Sequence, residues 1–250
     1  MSGLLAGVDG GREGAWVVVT APRRSRRPRR FELSAFVAED FETAVARLGP
    51  EAILAVDIPI GLPDAPRRGG RRAEGEARAR LGPRASSVFN TPSRAALARA
   101  AELRFSPDAF SEVSQVNAAS SPDGLRLSKQ TFFIMPRIDE VDRYLAAHPD
   151  AKERVFEVHP ELAFLALAQR ELPPKKSFRG KLERVDALRE VGIDPSPALG
   201  LESDPRASPD DILDACACLW SADRLARGKA SRLPDPPPRD ARGLELAIYY

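Results

Sequence analysis

The residues from Leu4 to Val8 are apolar or glycine, and the run ends on an acid, Asp9. Gly10, Gly11 and Gly14 follow, then a second apolar run from Ala15 to Thr20. The pattern predicts two strands of a hairpin. Phe31–Val37 alternates apolar and polar positions, as a half-exposed strand does. Asp40–Leu48 has helical spacing and stops at Gly49-Pro50. Ala52 to Val56 is apolar at every position, which marks a strand buried on both faces. That strand ends on Asp57, and Pro59, Gly61 and Pro63 prevent its regular continuation.

From Pro63 to about Asp150 the chain reads as polar and helical, with helices expected over 71–81, 93–103, 108–117 and 137–147. Arg154–Val158 predicts another buried strand, ended by His159-Pro160. Helices are expected over 161–168 and 177–191. The strongest helix signal is Ser208–Arg227: Ser208 as the cap, Pro209 at the first helical position, acids in the first turn and Gly228 at the end. Leu244–Tyr249 reads as a last strand. There is no internal repeat.

This order predicts an α/β fold built on a mixed five-stranded sheet with flanking helices. The expected strand order is 3-2-1-4-5, with strand 2 antiparallel and strands 4 and 5 parallel to strand 1. One domain is expected over residues 1–250, with 63–150 as a mostly helical insertion. In such sheets ligands bind at the carboxyl ends of adjacent parallel strands, so the first and fourth strands direct attention to Asp9 and Asp57.

Composition changes this picture little. The 250 residues are 43% hydrophobic and carry a net charge of +2, which points to no particular partner. Only six of the 38 basic residues are lysine, a bias that a GC-rich genome explains. Six arginines fall in the loop Pro22 to Arg30, a solvated loop or a surface that steers nucleic acid. Cys216 and Cys218, the only cysteines, form no disulfide framework and no zinc pattern with His148 and His159. A reducing cytoplasm fits them. No stretch is long enough to span a membrane, and Asp9 interrupts the N-terminal apolar run that a cleavable leader needs.

Several acids share one kind of position. Asp9, Asp57 and Glu157 each close an apolar strand, and Asp211 and Asp214 lie one turn apart on the last helix. Carboxylates that converge raise one another's pKa unless a cation neutralises them. Oxygen-only ligands suit Mg²⁺ or Mn²⁺, and two such ions can activate water and stabilise the leaving oxygen of a phosphodiester. Simpler readings stand beside this one. Asp9 fits a turn residue, Glu157 a partner for arginine, and Asp210 and Asp211 helix capping. His159 fits an ordinary loop histidine.

Taken together, GVDG at 7–10, DIPIGLP at 57–63, LGPRASSVFNTP at 81–92, SKQ at 128–130, IDEVD at 138–142, EVHPELAF at 157–164, KK at 175–176 and DDILDA at 210–215 resemble an uncharacterised bacterial and archaeal family. That family, a "domain of unknown function" group, is usually described as predicted RNase-H-like nucleases. The resemblance covers nearly the whole chain. It implies an RNase-H-like fold, with Asp9, Asp57, Asp214 and Asp211 as metal ligands for Mg²⁺ or Mn²⁺, two ions in all, and a nucleic-acid substrate. Glu157, His159 and Glu161 lie in the family's own signature and receive no role from the wider superfamily. The chain departs from the expected pattern at Gly11 and Glu13, and at Glu74, where an Asp is expected.

The insertion leaves the end of the fourth strand, which makes Ser86, Ser87, Thr91, Lys129 and Gln130 candidate substrate contacts. His159 joins them, and Arg84, Arg78 and Arg94 are candidate phosphate ligands. The first functional expectation is a metal-dependent nuclease whose catalytic acids are Asp9, Asp57, Asp211, Asp214 and Glu157. A non-catalytic nucleic-acid-binding member of the fold is the alternative. An actin-like or sugar-kinase-like phosphotransferase also carries Asp-x-Gly on its first strand, but Gly11-Arg12-Glu13 offers phosphates no Ser or Thr. A dinucleotide fold is disfavoured because a strand, not a helix, follows the glycines.

Overall fold

A computed structural model describes residues 3–26 and 30–250. The middle of the arginine-rich loop, 27–29, lies outside the described residues. The chain opens with β1 (Leu4–Gly10), β2 (Trp16–Pro22), β3 (Ser34–Ala38), α1 (Phe41–Leu48) and β4 (Ile53–Val56). Four helices follow: α2 (Arg72–Leu81), α3 (Arg94–Glu102), α4 (Phe110–Ser120) and α5 (Lys129–Ala147). Then come β5 (Val155–Glu157), α6 (Pro160–Ala168), α7 (Phe178–Glu190), the short α8 (Ser196–Leu199) and α9 (Pro209–Ala226). Two short strands, β6 (Arg232–Leu233) and β7 (Ile248–Tyr249), pair near the end.

The described residues form two compact units. The first holds residues 1–58, 150–231 and 249–250. Its sheet runs β3-β2-β1-β4-β5, with β1–β2 and β2–β3 antiparallel and β1–β4 and β4–β5 parallel. The order and directions are those expected from the sequence. Gly14, at φ +82°, lets the β1–β2 hairpin close tightly, and the Gly11 N–H donates to the Ala15 carbonyl at 2.8 Å.

Helix α9 lies across β1, β2 and β4. Ser208 caps it, accepting from the Asp211 N–H, while the Asp211 carboxylate accepts from the Ser208 N–H at 2.9 Å. Every residue from Ile212 to Asp223 is buried. A helix covered on all sides loses the one-sided apolar stripe of a surface helix, and this one carries Asp214 and Asp223 inward with it.

The second unit comprises residues 59–149 and 232–248. The tail is fastened to it by Asp240, whose carboxylate accepts from the Leu62 N–H at 3.1 Å and from Arg94 at 2.5 Å. Helix α5 begins eight residues before the expected start, because Ser128 caps it and Pro136 lies within it. Proline inside a helix forfeits one backbone bond. Here Phe132, Met135 and Ile138 are buried along one face on either side of the proline and hold the helix together. The last strand is shorter than the expected Leu244–Tyr249 and covers only Ile248–Tyr249.

Candidate functional site: a carboxylate cluster on the first unit

The register of the sheet puts Asp9 and Asp57 side by side. Val8 faces Val56 across the parallel pair β1–β4. The Asp57 N–H donates to the Val8 carbonyl at 2.9 Å, so the two acids follow in adjacent strands, about 4.8 Å apart by strand spacing. Residues two apart on a strand share a face, so Asp9 points the same way as Gly7. At Gly7 the strand touches α9 directly: a Cβ there would stand 2.0 Å from the Ala215 carbonyl oxygen. Asp214 precedes Ala215, and the helix thereby brings its carboxylate toward Asp9 and Asp57.

Asp9 and Asp214 are buried, and Asp57 is partly open to solvent. The Asp9 carboxylate accepts from the Gly10 N–H at 2.8 Å. Burial is the main reason that its pKa is raised well above the ordinary carboxyl value, with Asp57, Asp214 and Asp211 adding to the effect. Burial likewise raises Asp57 to about 6, less than it would without Lys175 and a hydrogen bond shared with Asp9. Asp214 is raised to about 6 by burial, moderated by Lys175. All three acids therefore hold their protons more tightly than a free carboxyl does.

Among the described residues, Lys175, in the loop between α6 and α7, is the cation whose charge acts on all three acids. Its Nζ lies 2.7 Å from Asp214 Oδ2. Burial alone would lower the pKa of this ammonium, but Asp214, Asp9 and Asp57 together raise it. Sequence reasoning did not assign Lys175 a role. The only signal was its place in the Lys175-Lys176 pair among the quoted motifs.

The other expected acids are placed differently. Asp211 acts on Asp9 through its charge, but one carboxylate oxygen closes the α9 capping box. Glu157 is buried at the end of β5, in register with Val56. His159 occupies the cap position of α6, where its carbonyl accepts from the Leu162 and Ala163 N–H groups. Glu161 pairs with the buried Arg184 at 2.7 Å. Among the described residues, no three His, Cys, Asp or Glu side chains stand close enough together to hold a metal as they are. The donor chemistry of Asp9, Asp57 and Asp214 nevertheless fits a hard divalent ion: the three offer oxygen only, two of them buried and Asp57 partly open to solvent.

Ser86, Ser87, Arg84, Lys129 and Gln130 belong to the second unit. Ser86, Lys129 and Gln130 are exposed, and the Ser87 hydroxyl donates to the Arg84 carbonyl at 2.8 Å. Thr91 is committed to Glu74 through both its N–H and its hydroxyl, and Arg94 to Asp142 and Asp240. Thr131, the residue after SKQ, reaches the FNTP segment, its hydroxyl donating to the Asn90 carbonyl at 3.1 Å. A pocket of about 350 Å³ opens there, lined in part by Arg78, Phe89, Asn90, Arg126 and Ser128 and by no acidic residue. In the arginine-rich loop of the first unit, Arg24 pairs with Glu32 and Arg30 with Asp194, each at 2.8 Å. Among the described residues no helix is long and apolar enough to cross a membrane.

A family model described as "Protein of unknown function (DUF429)" matches residues 7–239. Comparison with curated proteins and with solved structures gives no match.

Proposed function

The chain belongs to the DUF429 family of proteins of unknown function, and from the site itself we propose that it is a divalent-metal-dependent nuclease of the RNase-H-like kind. What supports this reading is that Asp9 and Asp57 end adjacent parallel strands and that the buried helix α9 carries Asp214 near enough for its charge to act on both. Two buried acids and a half-buried third are costly to keep together unless a cation joins them. Asp9, Asp57 and Asp214 would hold Mg²⁺ or Mn²⁺, and Asp211 adds negative charge from the capping turn. A divalent ion so held supplies an activated water and charge stabilisation for a phosphodiester oxygen. The acids hold their oxygens at the open end of the sheet, where ligands of such folds bind.

The test is a panel of single-stranded, duplex and branched DNA and RNA, with Mn²⁺, Mg²⁺ or EDTA. Metal-dependent cleavage that disappears in Asp9→Asn and in Asp57→Asn is expected. Cleavage that survives both substitutions contradicts the proposal.

A further inference from the structure

Asp9, Asp57 and Asp214 bring three negative charges when ionised, and the chain itself already supplies one positive charge among them. Lys175 is not a loose surface lysine that happens to reach an acid. Its loop is built into the first unit. The carbonyl of Pro173 accepts from Arg184 at 2.8 Å. The carbonyl of Pro174 accepts from the N–H of Ser177 at 2.9 Å and from its hydroxyl at 2.7 Å. The loop presses so closely on the first turn of α7 that a Cβ on Gly180 would stand 2.0 Å from the Pro174 carbonyl oxygen. Arg184 is 1% exposed, is held by Glu161 at 2.7 Å, and lies over the Phe164 ring at 5.0 Å.

A chain of contacts thus runs from Glu161 through Arg184 and the Pro173 carbonyl to Lys175, and from Lys175 to Asp214. It gives Glu161, in the EVHPELAF segment, and Lys175, in the KK segment, a shared purpose. Lys176, the next residue, is exposed and has no such seat.

We propose that Lys175 is a resident cation of the carboxylate site: its ammonium takes the seat of one of the two expected metal ions, so that the site binds one divalent ion per chain. The charges support this count. Among these four groups the three ionised carboxylates and the ammonium leave a net charge of −2, which a single divalent ion neutralises, while the Asp211 charge acts from a carboxylate held in the capping box of α9. A second divalent ion would have to displace Lys175 from Asp214 Oδ2 or remain close to it, and both are unfavourable. Lys175 is then a positioning residue, holding Asp214 while the metal position fills.

This inference rests on the metal-site reading above, and its test separates the two. Mn²⁺ is titrated into the wild-type protein, Lys175→Met, Lys175→Gln and Lys176→Met, with the free ion followed by its paramagnetic resonance signal. One ion per chain is expected for the wild type and Lys176→Met, and two for both Lys175 variants. In EDTA, the melting temperature is expected to fall in Lys175→Met and to recover when Asp214→Asn is added, because the unpaired buried charge is then gone. Lys175 is part-exposed, its side chain at 42%, so its replacement leaves the core untouched. Two ions on the wild type, or one ion of unchanged affinity on the Lys175 variants, overturns the role of Lys175 and leaves the metal site standing. No ion on any of these proteins overturns the metal site and the resident cation together.

Discussion

Gly7 on β1 and Ala215 on α9 meet backbone to backbone. A Cβ on Gly7 would lie 2.0 Å from the Ala215 carbonyl oxygen and 2.2 Å from the Leu219 nitrogen. Neither obstacle is a flexible side chain, so the helix itself would have to move. The contact sits two residues from Asp9 and one from Asp214, and it sets the approach of those two acids. Gly7→Ala is expected to lower stability by about 3 kcal/mol, the upper range for overpacking, as read from urea denaturation. It is also expected to weaken Mn²⁺ binding by separating Asp214 from Asp9. Unchanged stability and binding would show that the close contact is dispensable.

The acids also predict a pH dependence. Asp57 and Asp214 are raised to about 6 in the folded chain, against about 4 unfolded. An acid raised on folding prefers its protonated form there. Its contribution is complete below the unfolded value and is lost as pH rises through the folded one. Each carboxyl taken alone costs on the order of 2–3 kcal/mol across that window, less than additively because the groups interact. In EDTA, the stability of the wild type relative to Asp57→Asn is therefore expected to fall between about pH 4 and about pH 6.5. Thermal unfolding across that range measures it. Mn²⁺ is expected to reverse the trend, since its ligands must be ionised. A wild-type advantage that grows with pH in EDTA would contradict the burial of these acids without a sufficient counter-charge.

Glu74 makes a structural prediction for the second unit. It is 1% exposed. It accepts from Arg71 Nε and from the Arg71 N–H, each at 2.8 Å, and from Thr91. Arg71 in turn donates to the Ile60 carbonyl at 2.8 Å. Replacing Arg71 by Met leaves a buried carboxylate without its main partner, which typically costs about 3–5 kcal/mol. Arg71→Met is expected to show that loss in chemical denaturation, with a smaller loss when Glu74→Gln is combined with it. Equal losses in the single and double variants would contradict the pairing. The position where the family resemblance led us to expect an Asp is thus occupied by a longer acid that ties a helix cap to the FNTP segment.

Much of the first unit was legible because strand ends are local. Apolar runs that stop on Asp9 and Asp57 announce both the strands and the acids, and a short hairpin fixes the pairing of β1 with β2. Asp214 was legible because capping explains Asp210 and Asp211 but not an acid one turn further in. What escaped is nonlocal or breaks a local rule. Pro136 hid the first eight residues of α5, since a proline ordinarily marks a helix boundary. Lys175 lies in a proline loop without periodicity, and only the fold brings it to Asp214. Gly7 looked like an ordinary residue of an apolar strand, although the whole approach of α9 depends on its missing side chain. The attachment of the tail to the second unit rests on Asp240, whose partners Leu62 and Arg94 are far away in sequence.

Cys216 and Cys218 give a further check on the burial of α9. Both are fully buried free thiols, and burial pushes both thiols well above their ordinary pKa. Thiolates are the reactive species, so neither cysteine is expected to react with a disulfide reagent such as DTNB in the native protein. Both should react on unfolding. Fast labelling of either thiol under native conditions would mean that α9 is not packed on the sheet as described.

The most direct measurement of the central claim is an anomalous difference map from crystals soaked in Mn²⁺. A peak is expected among the carboxylates of Asp9, Asp57 and Asp214, absent from Asp57→Asn crystals treated alike. A map without a peak at these three residues, or with its only peak elsewhere in the chain, would contradict a metal-dependent nuclease site.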